Sequence, residues 1–309
     1  MPSLPDTLRP RRIALFCLVA FGFSWLVAGY VYATGGLDRT GGAPGASSLT
    51  ALLVVYMFGP AVGHLVVRLA TDAPLTVDDA WLRPHLRARL RWYALAWFLP
   101  AILTLLGVGL YYALFPGQFD PTMEAIRTGL GPAAADVSPA LLAAGQLAAA
   151  LSLGPAINTV VAFGEEFGWR GFLLQHLAPL GRRPAVLLTG VAWGVWHWPI
   201  VAMGYNYGLG YPGAPWPGML AMVWVTVLLG TVLAWVTFGA ESVWPAAVGH
   251  GAFNAIAGFG VLFAAGEPNP LLGPMATGIV VSVPTLALAA WLLREPSAVA
   301  PRVPAADLE

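Results

Sequence analysis

Eight apolar segments constrain the fold of this chain more than any other feature of its sequence. A helix needs about 20 apolar residues to cross the hydrocarbon core of a bilayer, where a spanning segment must satisfy its own backbone hydrogen bonds. Charged residues make up only 10% of the 309 residues, against about 25% in soluble domains. The sequence therefore predicts an all-α, polytopic transmembrane helix bundle of about eight spans, at roughly 13–34, 49–69, 91–115, 139–178, 184–203, 217–238, 243–265 and 272–293.

The fourth segment, 139–178, is too long for a single span. Gly154-Pro155 interrupts it, and proline is tolerated in the first turn of a helix but not in its interior. We therefore expect a short helix over 139–153 and the spanning helix over 155–178. That division puts Glu165 near the middle of the spanning helix.

Connections rich in arginine alternate along the chain with connections that have little or none, and this asymmetry predicts the orientation of the chain in the membrane. With eight spans, both termini are expected in the cytoplasm. All fifteen positive charges are arginine, a bias that indicates a GC-rich bacterial genome and hence a bacterial inner membrane. The poor connections hold only Arg39 and Arg127, whereas the rich set holds Arg9, Arg11, Arg12, Arg83, Arg87, Arg89, Arg91, Arg182, Arg183, Arg294 and Arg302.

Two connections allow two interpretations each. If 81–91 is helical, Trp81, Leu82, Leu86 and Leu90 share a face that suits the membrane surface; a solvated loop fits equally well. The uncharged, aromatic connection 204–216 is best interpreted as an interfacial aromatic belt. A flap over a substrate entrance is the alternative.

Few ionisable side chains fall inside the predicted spans, and such residues are costly to bury and usually functional. They are His64, Glu165, Glu166, Arg170, His197 and His250. Residues four apart nearly eclipse on a helix, so Glu166 and Arg170 are predicted to form a buried ion pair. Glu165 points elsewhere without a local partner, which suits a group that takes a proton from water. One structural network of all three charges is the alternative.

Two further motifs carry the remaining histidines. His197 ends the run Trp193-Gly194-Val195-Trp196-His197 and, taken singly, is a hydrogen-bonded core residue. His250 and Asn254 lie four apart and present an imidazole and an amide on one face, and Gly249 and Gly251 permit close helix approach. Hydrogen bonding between helices would explain that pair alone. It explains less well a carboxylate, two imidazoles and an amide on three helices.

The three motifs resemble the CAAX prenyl protease 2 and bacteriocin-processing (CPBP, or Abi) family of intramembrane endopeptidases. The stretch EEFGWRGFLL, from Glu165 to Leu174, is similar to the family's first motif, and the resemblance covers roughly 140–260. It implies that Glu165 and His197 activate water and that His250 and Asn254 bind the oxyanion or help hold a metal. The chain departs from the family at Trp193, usually Phe, which we interpret as a packing change.

The resemblance also carries a metalloprotease label. Glu165, His197 and His250 would make a reasonable zinc set with an open position for water, although no His-Glu-x-x-His helix is present. A metal-free route is also open, with Glu165 as base, His197 orienting the water and His250 and Asn254 donating to the oxyanion. Zinc is therefore one possible cofactor, and the residues leave both routes open.

The expected organisation places a catalytic core with a polar cavity inside the membrane. Its predicted parts are a cytoplasmic segment 1–12, three helices within 13–138, the core 139–266, a last helix within 267–293 and a disordered cytoplasmic tail 294–309. Expected partners are membrane lipid and a membrane-embedded or lipid-anchored peptide. Zero net charge argues against nucleic acid, and the single Cys17 excludes an internal disulfide.

Two other function classes remain open. A non-catalytic membrane scaffold or bacteriocin-immunity protein could retain the same motifs for structural reasons. A proton-coupled transporter is the weakest candidate, because it favours paired broken helices and only Gly154-Pro155 looks like a break.

Overall fold

The computed structural model describes residues 4–5, 7–37, 46–71, 76–131 and 137–295. Thirteen α-helices form these parts of the chain, and they contain no β-strand. The helices are α1 (Pro10–Ala33), α2 (Ala46–Met57), α3 (Gly59–Ala70), α4 (Leu86–Leu114), α5 (Glu124–Leu130), α6 (Pro139–Leu151), α7 (Leu153–Gly168), α8 (Leu174–Leu177), α9 (Arg182–Trp196), α10 (Trp198–Ala202), α11 (Trp216–Ala240), α12 (Trp244–Ile256) and α13 (Val283–Arg294). The predicted all-α membrane fold is confirmed, while Arg39, Arg302 and the predicted disordered tail beyond Glu295 lie outside the described residues.

The described helices include fewer spans than the eight predicted. Four are long and apolar enough to cross a membrane, and two bent pairs raise the number to six. The predicted span 184–203 breaks at His197 into α9 and α10, because Pro199 has no N–H for the helix ladder. The predicted span 272–293 is helical only from Val283.

Both bent pairs contain a helix break near a proline. The predicted break at Gly154-Pro155 lies at Ser152, where α6 meets α7 at an angle of 46°. A second break separates α2 from α3 at 41°, just before Pro60. The expectation that the first break has no counterpart is therefore wrong.

The irregular segment between α12 and α13 is packed inside the protein. Ala276, Thr277 and Val281 are buried, and a Cβ on Gly278 would come within 2.5 Å of Gly273 Cα. Non-helical backbone is tolerated at membrane depth only where protein or a cavity surrounds it. The close approach at Gly278 explains how the chain folds back on itself here.

The helices that carry the three motifs pack directly on each other. Helix α7 packs along α12, α9 along α11, and α12 also contacts α4. Small residues allow these approaches: a Cβ on Gly251 would lie 2.6 Å from the backbone nitrogen of Thr159 in α7. The predicted role of Gly251 in close helix packing is confirmed. The polar residues of α7 and α12 are thereby held against each other.

Arginine-rich connections contact one another. Arg183 donates to the carbonyl of Arg294 at 3.1 Å, and Arg89 forms an ion pair with Glu241. Each contact joins two segments that the arginine asymmetry assigns to the same side. The orientation of the chain in the membrane itself stays a prediction.

The predicted interpretations of 81–91 and 204–216 are both wrong in part. Trp81 is 2% exposed and packs edge-on against Phe238, and helix α4 begins only at Leu86, so no common helical face forms. In the second connection, Tyr207 and Tyr211 are buried, whereas Trp216 is 67% exposed, so only part of this segment is available to an interfacial belt. The two tyrosine rings form the inward side of a packed loop.

Candidate active site

A cavity lies among α2, α7, α9, α11 and α12. Residues from all three motifs line it, together with the loop after α10 and the segment before α13. Most of the remaining wall is apolar. The polar lining residues are Tyr56, Glu165, His197, Tyr205, Asn206, Thr226, His250, Asn254 and Thr277. The structure thus brings the four predicted catalytic side chains, of Glu165, His197, His250 and Asn254, to one cavity.

Glu165 lies near the end of α7 and is 1% exposed. Its Oε2 accepts a hydrogen bond from Nε1 of Trp193 at 2.6 Å. That contact leaves Oε1 for a molecule in the cavity, since Glu165 lines the cavity wall. Glu165 has no partner on its own helix, as predicted, but it has one on α9.

Glu166 points away from Glu165 and contacts two other side chains, those of Arg170 and His250. Arg170 Nη1 lies 2.8 Å from Glu166 Oε2, so the predicted ion pair within the helix is confirmed. Nδ1 of His250 donates to Glu166 Oε1 at 2.9 Å. The sequence motifs gave no indication of this second contact, which joins α7 to α12.

His197 presents one ring nitrogen to the cavity. Its Nδ1 lies 2.8 Å from the carbonyl oxygen of Trp193, and a carbonyl only accepts, so Nδ1 carries the proton. The Nε2 of the neutral ring then holds a lone pair. This nitrogen can accept a proton or a hydrogen bond from water.

Asn254 occupies the exposed end of the cavity wall. It follows His250 by one turn of α12 and is exposed, whereas His250 is 5% exposed. The predicted common face of these two residues is therefore present. Its amide can donate two hydrogen bonds to an oxygen in the cavity.

The remaining predicted intramembrane residue, His64, belongs to a separate cluster. Its Nδ1 bonds to the carbonyl of Phe167 at 2.9 Å, and Arg68 Nε donates to its Nε2 at 3.1 Å. The Nδ1 contact joins α3 to the end of α7, and the Nε2 contact lies within α3. This histidine has a structural role in the fold.

Sequence reasoning missed Trp193, Tyr56 and Asn206 as cavity residues. Tyr56 donates from its hydroxyl to the carbonyl of Trp196, and Asn206 lies in the loop after α10 at φ +64°. Interpreting Trp193 only as a packing change was wrong, because its N–H holds Glu165. A useful signal was available, because the N–H of a buried tryptophan usually has a hydrogen-bond acceptor.

Zinc is the metal that these site residues were expected to hold. Within the described parts of the chain, no group of three or more His, Cys, Asp or Glu side chains is arranged so that it could hold a metal ion. The zinc set expected from Glu165, His197 and His250 does not fit this arrangement.

A comparison with known families matches the same part of the chain. Residues 146–256 match the family described as Rce1-like, type II CAAX prenyl endopeptidase Rce1-like. The match includes all four predicted catalytic residues and confirms the family resemblance of the motifs. It supports a function of the intramembrane CAAX protease kind. No curated protein matches the chain.

Proposed function

We propose that this protein is an intramembrane endopeptidase that hydrolyses a peptide bond of a membrane-embedded or lipid-anchored protein or peptide. Glu165 and His197 activate the water, and His250 and Asn254 stabilise the oxyanion. The observation that carries the proposal is the convergence of these four side chains on one cavity from three helices. The family match over 146–256 supports the same reaction class.

Glu165 is the general base of the proposed reaction. Its Oε1 takes a proton from a water in the cavity, and the resulting hydroxide adds to the scissile carbonyl. Nε2 of His197 accepts the second O–H of the same water and so directs its oxygen toward the carbonyl. The proton on Glu165 then moves to the amine that leaves as the C–N bond breaks.

His250 and Asn254 stabilise the oxyanion of the tetrahedral intermediate. The Asn254 amide donates directly. Because Nδ1 of His250 already donates to Glu166, Nε2 donates to the oxyanion only when the ring is protonated. Two buried carboxylates and one guanidinium leave one negative charge, which an imidazolium at His250 neutralises. Donors fixed before the reaction contribute about 10²–10³-fold each to such steps.

The cavity wall favours a substrate with an apolar portion. Leu53, Met57, Val225, Leu229 and Phe253 line it beside the polar groups. Sites for apolar ligands combine such walls with a few polar groups that fix orientation. We therefore expect cleavage close to a membrane-embedded or lipid-modified segment. The proposed location is a bacterial inner membrane, with both termini cytoplasmic.

The proposal is tested by quantitative membrane proteomics of cells carrying the wild type or Glu165→Gln. Glu267→Gln is the matched control, because Glu267 is exposed and lies outside the cavity lining. A substrate should accumulate uncleaved only with Glu165→Gln. Purified protein in liposomes should then cleave that substrate, with a farnesylated CaaX peptide as a second probe. Equal proteomes and no cleavage of the farnesylated peptide would instead support the scaffold or immunity function.

A further inference from the structure

Trp193 contacts both residues that are proposed to activate the water. Its indole N–H donates to Glu165 Oε2 at 2.6 Å, and its backbone carbonyl accepts from His197 Nδ1 at 2.8 Å. Among the described residues, Trp193 is the one hydrogen-bond donor to Glu165. A single residue of α9 therefore determines how a carboxylate on α7 and the imidazole that follows the end of α9 face the cavity.

The indole ring of Trp193 is itself firmly held. It is 2% exposed, the guanidinium of Arg170 lies 4.6 Å from its ring centre, and the ring of His250 meets it edge to face at 5.1 Å. Helix α9 cannot shift easily, because a Cβ on Gly194 would come within 2.5 Å of Val223 Cα in α11. The N–H is thus presented to Glu165 from a fixed direction.

We infer that Trp193 is a positioning residue for the proposed hydrolysis. Its N–H holds Glu165 in the conformer that turns Oε1 toward the water, while its carbonyl keeps Nε2 of His197 directed at the same water. The inference rests on the proposed function and extends it to a residue outside the four catalytic groups. A phenylalanine at this position would fill most of the space without donating a hydrogen bond.

The decisive variants separate the role of the indole N–H from that of the indole ring. Replacing Trp193 by β-(3-benzothienyl)alanine through amber suppression keeps the ring size and removes the donor. Replacing it by 4-fluorotryptophan keeps the donor and weakens the cation–π contact with Arg170. The same benzothienyl replacement at Trp169 is the matched control, because that indole is fully buried and its N–H has no hydrogen-bond partner.

Turnover is measured in liposomes on the substrate whose cleavage depends on Glu165. The benzothienyl replacement at Trp193 should lower kcat about tenfold or more, as expected for losing a hydrogen bond to a charged group. Its KM should stay within about twofold of the wild-type value, the range that we take as unchanged affinity. The fluorinated residue and the Trp169 control should keep wild-type kcat. An unchanged kcat at Trp193, or an equal loss at Trp169, would overturn the inference.

A second measurement needs no substrate. In protein labelled with ¹⁵N in its indole groups, the Trp193 N–H resonance, assigned by Trp193→Phe, should shift on Glu165→Gln, while the Trp169 resonance stays in place. A Trp193 resonance that ignores Glu165→Gln would also overturn the inference. The two hypotheses fail separately: full activity of Glu165→Gln contradicts the proposed function, whereas loss with Glu165→Gln and full activity of the Trp193 benzothienyl variant contradicts only the positioning role.

Discussion

Nδ1 of His250 donates to Glu166 Oε1 at 2.9 Å, so the two adjacent glutamates of the first motif serve different partners. Glu166 holds Arg170 and His250 and is absent from the cavity lining. Glu165 lines the cavity and is held from α9. Adjacent positions on a helix point about 100° apart, and here this divergence separates a structural carboxylate from a proposed catalytic one.

Removing one charge of the buried pair Glu166–Arg170 should destabilise the protein. Glu166→Gln and Arg170→Ala each leave an uncompensated buried charge, which costs about 3–5 kcal/mol. Both variants should therefore show a lower Tm or less folded protein in detergent, whereas Glu165→Gln should keep or raise Tm and lose about 10²–10⁴-fold in turnover. The measurements are thermal unfolding and cleavage of the identified substrate.

A double variant serves as the control for that prediction. Glu166→Gln combined with Arg170→Met removes both charges, and it should recover part of the Tm lost in Arg170→Ala. A double variant less stable than either single variant would show that the ion pair is not the source of the effect. If Glu165→Gln keeps full activity while Glu166→Gln is folded but inactive, the catalytic glutamate is Glu166 and not Glu165.

Asn254→Ala should impair turnover without affecting stability. The residue is exposed at the end of the cavity, so its loss leaves no cavity in the core, while removing one oxyanion donor costs about 10²–10³-fold in kcat. Asn158→Ala is the matched control, because that amide donates to the carbonyl of Gly154 in its own helix and lies outside the cavity lining. Similar kcat values for the two variants would argue against a role for Asn254 in the oxyanion site.

Local spacing explains what the sequence could predict about the site. The Glu166–Arg170 pair and the shared face of His250 and Asn254 follow from the four-residue repeat of a helix. Partners far apart along the chain do not follow from it: His250 lies 84 residues from Glu166, and Trp193 lies 28 residues from Glu165. These contacts depend on which helices pack against each other. The periodicity of a single sequence shows which face of a helix is apolar, but not which other helix that face contacts.

The predicted count of eight spans is not confirmed, for a related reason. Apolar stretches predict burial, and the segments 184–203 and 272–293 are apolar enough for membrane helices. Whether such a stretch forms one continuous helix depends on local breaks, as at His197-Trp198-Pro199 and at Gly273-Pro274. Composition alone does not distinguish a spanning helix from a buried irregular segment.

Gly251→Ala should lower both stability and turnover. The added methyl group would lie 2.6 Å from the backbone nitrogen of Thr159 and 2.8 Å from the carbonyl oxygen of Pro155, so α12 must move away from α7. Overpacking of this kind costs about 1–3 kcal/mol, and the shift would separate His250 from Glu166. Gly109→Ala in α4, where a Cβ meets open space, should keep wild-type Tm and activity. Equal Tm values for both variants would contradict the close packing of α7 and α12.

The single native cysteine makes the proposed orientation easy to test. In a Cys17→Ser background, Arg87→Cys and Gly117→Cys place thiols at opposite ends of α4, a candidate span over Leu86–Leu114. A membrane-impermeant maleimide added to intact cells should label Gly117→Cys, and Arg87→Cys should react only after lysis. Labelling of Arg87→Cys in intact cells would reverse the orientation that the arginine asymmetry predicts.

Metal removal should leave the hydrolysis unchanged. No described group of three His, Cys, Asp or Glu side chains could hold a metal ion, so base catalysis by the Glu165 carboxylate is the route that we propose. Protein treated with 1,10-phenanthroline should keep its kcat, and elemental analysis should find well under one zinc per chain. Activity that is lost on chelation and restored by zinc, but not by magnesium, would instead support a zinc site at Glu165, His197 and His250.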